Sequence, residues 1–137
     1  MESIVVDSSI IVASFLANEK NHQHALEYIN GLERGDYTFH LPMLASIEVT
    51  SAIRRRATRN WIALVSTWNK SVADWERDDM LIMYPLDRDR MNKASDIAAR
   101  YGFRAQDCIF AELALELNVP FKTFDKELLE RFPTASE

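Results

Sequence analysis

The chain has one cysteine, three glycines, four prolines and three histidines among its 137 residues. A lone Cys108 excludes an intramolecular disulfide, and with no secretory leader in view a cytoplasmic setting is expected. So few glycines and prolines leave no flexible linker, no low-complexity tract and no Gly-rich phosphate loop. His22 and His24 are two apart and face different sides of a helix, while His40 stands alone, so a histidine-based metal site is excluded. Long apolar runs are missing too. The stretch from Ile4 to Ala17 is broken by Asp7-Ser8-Ser9 and is too short to span a bilayer, so no membrane partner is expected. Basic residues are in deficit, 16 against 21 acids, and the net charge of −5 argues against non-specific wrapping of nucleic acid. What is present is ordinary for a globular protein: 47% apolar and 27% charged, with length enough for one domain over 1–137.

Apolar periodicity predicts an alternating pattern. Strands are expected at Ile4–Val6, Thr38–Leu41, Met80–Tyr84 and Phe121–Phe124. Helices are expected at Ser8–Asn18, His22–Arg34, Met43–Thr58, Trp61–Arg77, from an Asp87 cap to Tyr101, at Ala105–Leu117, and briefly after Lys126. Short apolar strands separated by helices indicate an α/β domain with a parallel sheet covered on both faces. In such sheets ligands bind outside the carboxyl ends of the strands.

Four acids stand where an acid is hard to explain structurally: Asp7, Glu48, Asp107 and Asp125. Asp7 closes the run Ile4-Val5-Val6, and Asp125 follows Phe121-Lys122-Thr123-Phe124. Glu48 shares a helix face with Leu44, Ala45, Ser51 and Ala52, and Asp107 with Phe110, Ala111 and Ala114. A carboxylate taken out of water costs several kcal/mol unless it is paired or coordinates a metal. Too few bases lie nearby to pair each one. Convergence of all four on one rim of the sheet would make a divalent-cation site, and hard oxygen donors select Mg²⁺ or Mn²⁺ over zinc. Each acid has a plainer reading. Asp7 and Asp125 can cap the helices that follow, Asp107 can complement a helix dipole, and Glu48 can pair with Arg55.

Two further features stand out. Arg54, Arg55, Arg56 and Arg59 crowd together after Glu48, either as a solvated helix face or as a basic patch beside the acids, suited to a polyanion. Trp61, Trp68 and Trp75 recur every seven residues as one helical stripe, which is either domain core or a partner surface.

In this order the motifs resemble those of PIN-domain ribonucleases, and within them the VapC-type toxins of type II toxin–antitoxin pairs. The resemblance rests on Ile4–Val12 with its Asp7-Ser8-Ser9, on Leu41-Pro42 followed by Ile47-Glu48-Val49, on Phe103–Ala111, and on Thr123-Phe124-Asp125. It implies a PIN-like three-layer sandwich with a sheet of four to five strands. The chain ends soon after Leu128-Leu129-Glu130-Arg131-Phe132-Pro133, so the fifth strand is expected to be missing or vestigial. The resemblance further implies a metal-dependent endoribonuclease that hydrolyses RNA phosphodiesters. Asp7, Asp107 and Asp125 would bind the ion, Glu48 would complete the catalytic set, and Ser9 and Thr123 would support it. Arg54, Arg55 and Arg59 would contact RNA or a cognate antitoxin, whose C-terminal peptide would cover the site with an arginine reaching the carboxylates. A homodimer is implied as well. The alternatives are a PIN nuclease of RNA processing outside toxin–antitoxin systems and a non-catalytic PIN-like binding module. A haloacid-dehalogenase phosphatase is excluded, because Ser9 stands where its second Asp is needed.

Overall fold

The computed structural model describes residues 1–137. Its elements run β1 (Glu2–Val6), α1 (Ser8–Phe15), α2 (His22–Arg34), β2 (Tyr37–Pro42), α3 (Leu44–Arg56), α4 (Trp61–Arg77) and β3 (Leu81–Tyr84). They continue with α5 (Arg88–Tyr101), α6 (Ala105–Leu117), β4 (Phe121–Lys122), α7 (Lys126–Arg131) and β5 (Ala135–Ser136). The five strands form one parallel sheet in the order β3-β2-β1-β4-β5. The consecutive residues Ile4, Val5 and Val6 are all fully buried, so both faces of β1 are covered. Side chains alternate across a strand, and only a three-layer arrangement buries neighbours equally.

The strand order reverses at β1. From there β2 and β3 lie to one side, β4 and β5 to the other, and the crevice between β1 and β4 is the switch point of the sheet. Asp7 directly follows β1 at this point, and Thr123 directly follows β4. Helix α6 is fed by α5 rather than by a strand, but it leads into β4 and therefore runs antiparallel to the sheet. Its first turn, with Asp107, thus returns to the same rim.

Most boundaries agree with the periodicity. Helix α2 ends on Gly35 at φ 85°, a left-handed cap that a residue without Cβ takes at no steric cost. Asp87 caps α5 by accepting a hydrogen bond from the Arg90 N–H at 2.9 Å. Two details differ. Helix α1 stops at Phe15, three residues short, where Leu16 goes extended and seats its side chain in the core. Strand β4 is two residues rather than four, because Thr123 turns its hydroxyl to Asp7 and to the Asp125 N–H. The fifth strand is vestigial, within what was expected: two residues held by backbone pairing of Phe121 with Ala135 and Lys122 with Ser136.

The tryptophan stripe resolves mainly as core. Trp68 is fully buried and Trp75 nearly so, their rings edge-to-face at 6.4 Å. Only Trp61, at the start of α4, is half-buried, with the Arg54 guanidinium 4.5 Å over its ring. The partner-surface reading therefore fails for two of the three rings.

Candidate active site

Three of the four singled-out carboxylates, Asp7, Glu48 and Asp107, line one cleft of about 350 Å³. Asp7 and Asp107 are each only 7% exposed. Asp7 Oδ2 accepts hydrogen bonds from Ser9 Oγ at 2.8 Å and Thr123 Oγ1 at 2.9 Å, so both donors fall on one oxygen. Although Asp7 occupies the cap position of α1, its side chain makes no capping bond. Glu48 lies one turn into α3 and accepts from Ser8 Oγ at 3.1 Å. It has no salt bridge to Arg55, the plainer reading of that acid.

Asp125 sits apart. It is not in the cleft lining, and its Oδ1 caps α7 by accepting from the Leu128 N–H at 3.1 Å. Its capping role is thus real, but its other oxygen turns back toward the cleft through Arg104. Thr123, fully buried, links the acids: it donates to Asp7 and accepts from the Asp125 N–H at 3.0 Å.

Burial decides the electrostatics. Removal from water is the largest influence on Asp7, Glu48 and Asp107, and it raises all three above the usual carboxylate range. Asp107 is pushed up to about 6 and Glu48 to about 7. Mutual repulsion adds to this, Asp7 raising both Glu48 and Asp107. The hydroxyls of Ser9, Thr123 and Ser8 pull the other way, and less strongly.

One base answers these acids. Arg104, which the sequence reading did not single out, places Nε 3.4 Å from Asp107 Oδ2 and Nη2 3.5 Å from Asp125 Oδ2. Its only sequence signal was a cation three residues before an N-terminal-turn acid. Arg55 and Arg56 line the cleft, Arg56 also pairing with Glu19 at 2.8 Å. Arg54 turns away onto Trp61, and the exposed Arg59 lies outside the lining. The basic patch is therefore real at Arg55 and Arg56, and absent from the cleft at Arg54 and Arg59.

As the side chains stand, no group of three or more His, Cys, Asp or Glu is gathered to hold a metal ion. Each carboxylate is turned to its own hydroxyl, N–H or guanidinium. The donor set nonetheless fits a hard cation: all-oxygen ligands, buried, with no thiol or imidazole in the lining. Asp7, Asp107 and Asp125, with Glu48 opposite, are the residues that could hold one.

A parallel α/β sandwich with an acidic cleft at its switch point defines a PIN-like domain. The sequence carries this further, for the PIN domain family model matches residues 4–133 and the chain belongs to that family. No curated protein matches the chain. Among solved structures, VapC20 of Mycobacterium tuberculosis, a sarcin–ricin loop cleaving toxin, aligns with a TM-score of 0.70 at 14% identity, over 94% of this chain and 95% of that one. A toxin–antitoxin complex from Klebsiella pneumoniae aligns with a TM-score of 0.69 at 11% identity, over 98% and 96%. VapBC2 of Rickettsia felis, bound to a DNA fragment from its promoter, gives 0.66 at 11%, over 98% and 99%. At these identities the likeness is one of fold. No helix is long and apolar enough to cross a membrane.

Proposed function

We propose that this protein is a Mg²⁺- or Mn²⁺-dependent endoribonuclease and the toxin component of a type II toxin–antitoxin pair. One observation carries the nuclease reading: three carboxylates, desolvated and repelling one another, line a single cleft whose wall also holds Arg55, Arg56 and Arg104. Repelling acids are an arrangement a divalent cation relieves, and flanking arginines suit a phosphate backbone. Membership of the PIN family agrees with it. The toxin reading is supported by solved toxins that match nearly end to end with this chain.

In this reading Asp7, Asp107 and Asp125 hold the ion. When bound, it would activate water and neutralise charge on the scissile phosphate. Ser9 and Thr123 fix the Asp7 carboxylate by their hydrogen bonds to Oδ2. Glu48, held by Ser8 on the cleft wall, would orient the attacking water. Arg55 and Arg56 bind the RNA backbone on the open side, which reconciles a polyanionic substrate with a net charge of −5. A homodimer, a cytoplasmic location and a cognate antitoxin covering the cleft complete the proposal.

The test is incubation of structured RNA with the purified protein, with and without Mn²⁺ or Mg²⁺, beside Asp7→Asn and Asp107→Asn. Cleavage that needs the ion and is lost in both variants is the expected result. Cleavage that survives in both, or no ion binding by calorimetry, overturns the carboxylate site.

A further inference from the structure

We propose that Arg104 is the exchangeable counter-cation of the carboxylate cleft: its guanidinium holds Asp107 and Asp125 until a divalent cation takes them, then turns to a phosphate of the RNA. The inference rests on the nuclease reading and adds a second task to Arg104, beyond its place on the cleft wall. Arg104 ties an acid on α6 to an acid beyond β4 by one nitrogen each, at 3.4 and 3.5 Å. These are long single contacts, not a bidentate fork. Its side chain is 70% exposed, so no packing retains it.

A second arginine shows what a retained one looks like. Arg90 has a side chain only 15% exposed, pairs with Glu112 at 3.1 Å and Glu116 at 3.3 Å, and lies 5.3 Å over the Tyr84 ring. Three arginines thus pair with two carboxylates each: Arg90 is buried, Arg77 lies with Asp74 and Asp78 on the open surface, and Arg104 alone does so at the cleft, by the longest contacts of the three. A divalent ion and a guanidinium on the same carboxylates repel one another and compete for the same lone pairs, so each weakens the other's hold. Once displaced, Arg104 still stands on the cleft wall with Arg55 and Arg56, where a backbone reaching the acids must pass. Its planar fork suits phosphate better than a point charge would.

The experiment is Mn²⁺ titration calorimetry on the full chain, comparing wild type, Arg104→Gln and Arg55→Gln. A second arm measures binding of a fluorescein-labelled RNA stem-loop in Ca²⁺ buffer across a salt series, Ca²⁺ taking the same oxygen ligands. Loss of exposed pairs of this kind should tighten Mn²⁺ binding roughly two- to tenfold in Arg104→Gln. Arg55→Gln, which touches no carboxylate, should stay near wild type. Arg104→Gln should bind the RNA more weakly and flatten the log–log salt slope by about one. Unchanged or weaker Mn²⁺ binding in Arg104→Gln, or equal tightening in Arg55→Gln, overturns the exchange while leaving the nuclease reading standing. No Mn²⁺ binding by the wild type overturns both. Equal salt slopes, or no RNA binding by the wild type, overturn the hand-over to phosphate.

Discussion

Lowering the pH should stabilise this protein over a range where many proteins gain nothing, provided divalent ions are chelated. Glu48 rises from 4.5 to about 7 and Asp107 from 3.8 to about 6 on folding, chiefly through burial. A raised folded value means the native state binds protons that the unfolded chain has released. The stability so gained is full below the unfolded values and is lost as pH rises through the folded ones, between about pH 4 and 7. Each shift, taken alone, corresponds to ~3 kcal/mol. The two groups repel one another, and Glu48 is partly solvated, so simple addition counts the repulsion twice. From these two groups we expect a loss of ~2–4 kcal/mol between pH 5 and pH 8, to which Asp7 and Glu112, also raised by burial, add in the same direction. For a chain of this length that is a fall in Tm of roughly 6–15 °C. Buried His40, lowered by desolvation, acts oppositely, its contribution being lost as pH falls, so the comparison must be made against Asp107→Asn. The assay is urea denaturation in EDTA at half-unit pH steps, for both proteins. A wild-type curve that is flat or rises relative to the variant refutes the reasoning. Saturating Mn²⁺ at pH 7.5 should restore ~3 kcal/mol at a hundredfold excess over Kd.

Thr123→Val removes the only side chain that bonds both Asp7 and the Asp125 N–H, and should cost about 1–3 kcal/mol by urea denaturation, with a loss of cleavage beyond that of Ser9→Ala. Trp68→Ala should destabilise by about 3–5 kcal/mol and Trp61→Ala by under about 1, measured the same way; comparable values would contradict the burial of the first ring. Arg90→Met leaves Glu112 buried without its base and should cost about 2–3 kcal/mol at pH 8, less at pH 5.5 where that carboxyl, pushed up to about 7, is protonated. A cost independent of pH would argue that Arg90 acts by packing alone.

Much of this was written in local pattern. Asp7 ends an apolar strand, and Asp107 faces apolar neighbours on its helix. Neither position can be read as a solvated acid, and both prove buried in one cleft. Arg104 was not legible, because its bond to Asp125 joins segments that only the tertiary fold brings together. Glu112 was missed for a related reason. Its burial depends on α5 packing against α6, and within its own helix it looks like any polar position. The Trp stripe was legible as a stripe, but periodicity says which residues share a face and not what that face meets. Strand β5 carries no propensity signal at Ala135-Ser136; it is made by the edge of β4 offering unpaired backbone groups.

The bond from Thr123 to Asp7 spans 116 positions of the chain. Asp7, at the end of the first strand, is thus held by a residue at the end of the fourth. During synthesis the N-terminal strand, α3 and Asp107 are all made before the residue that fixes Asp7. Long-range pairing of this kind forms late, after the loops between have closed. A chain still lacking Thr123 would therefore hold the Asp7 carboxylate by Ser9 alone, and the cleft would take its final geometry only when β4 has paired with β1.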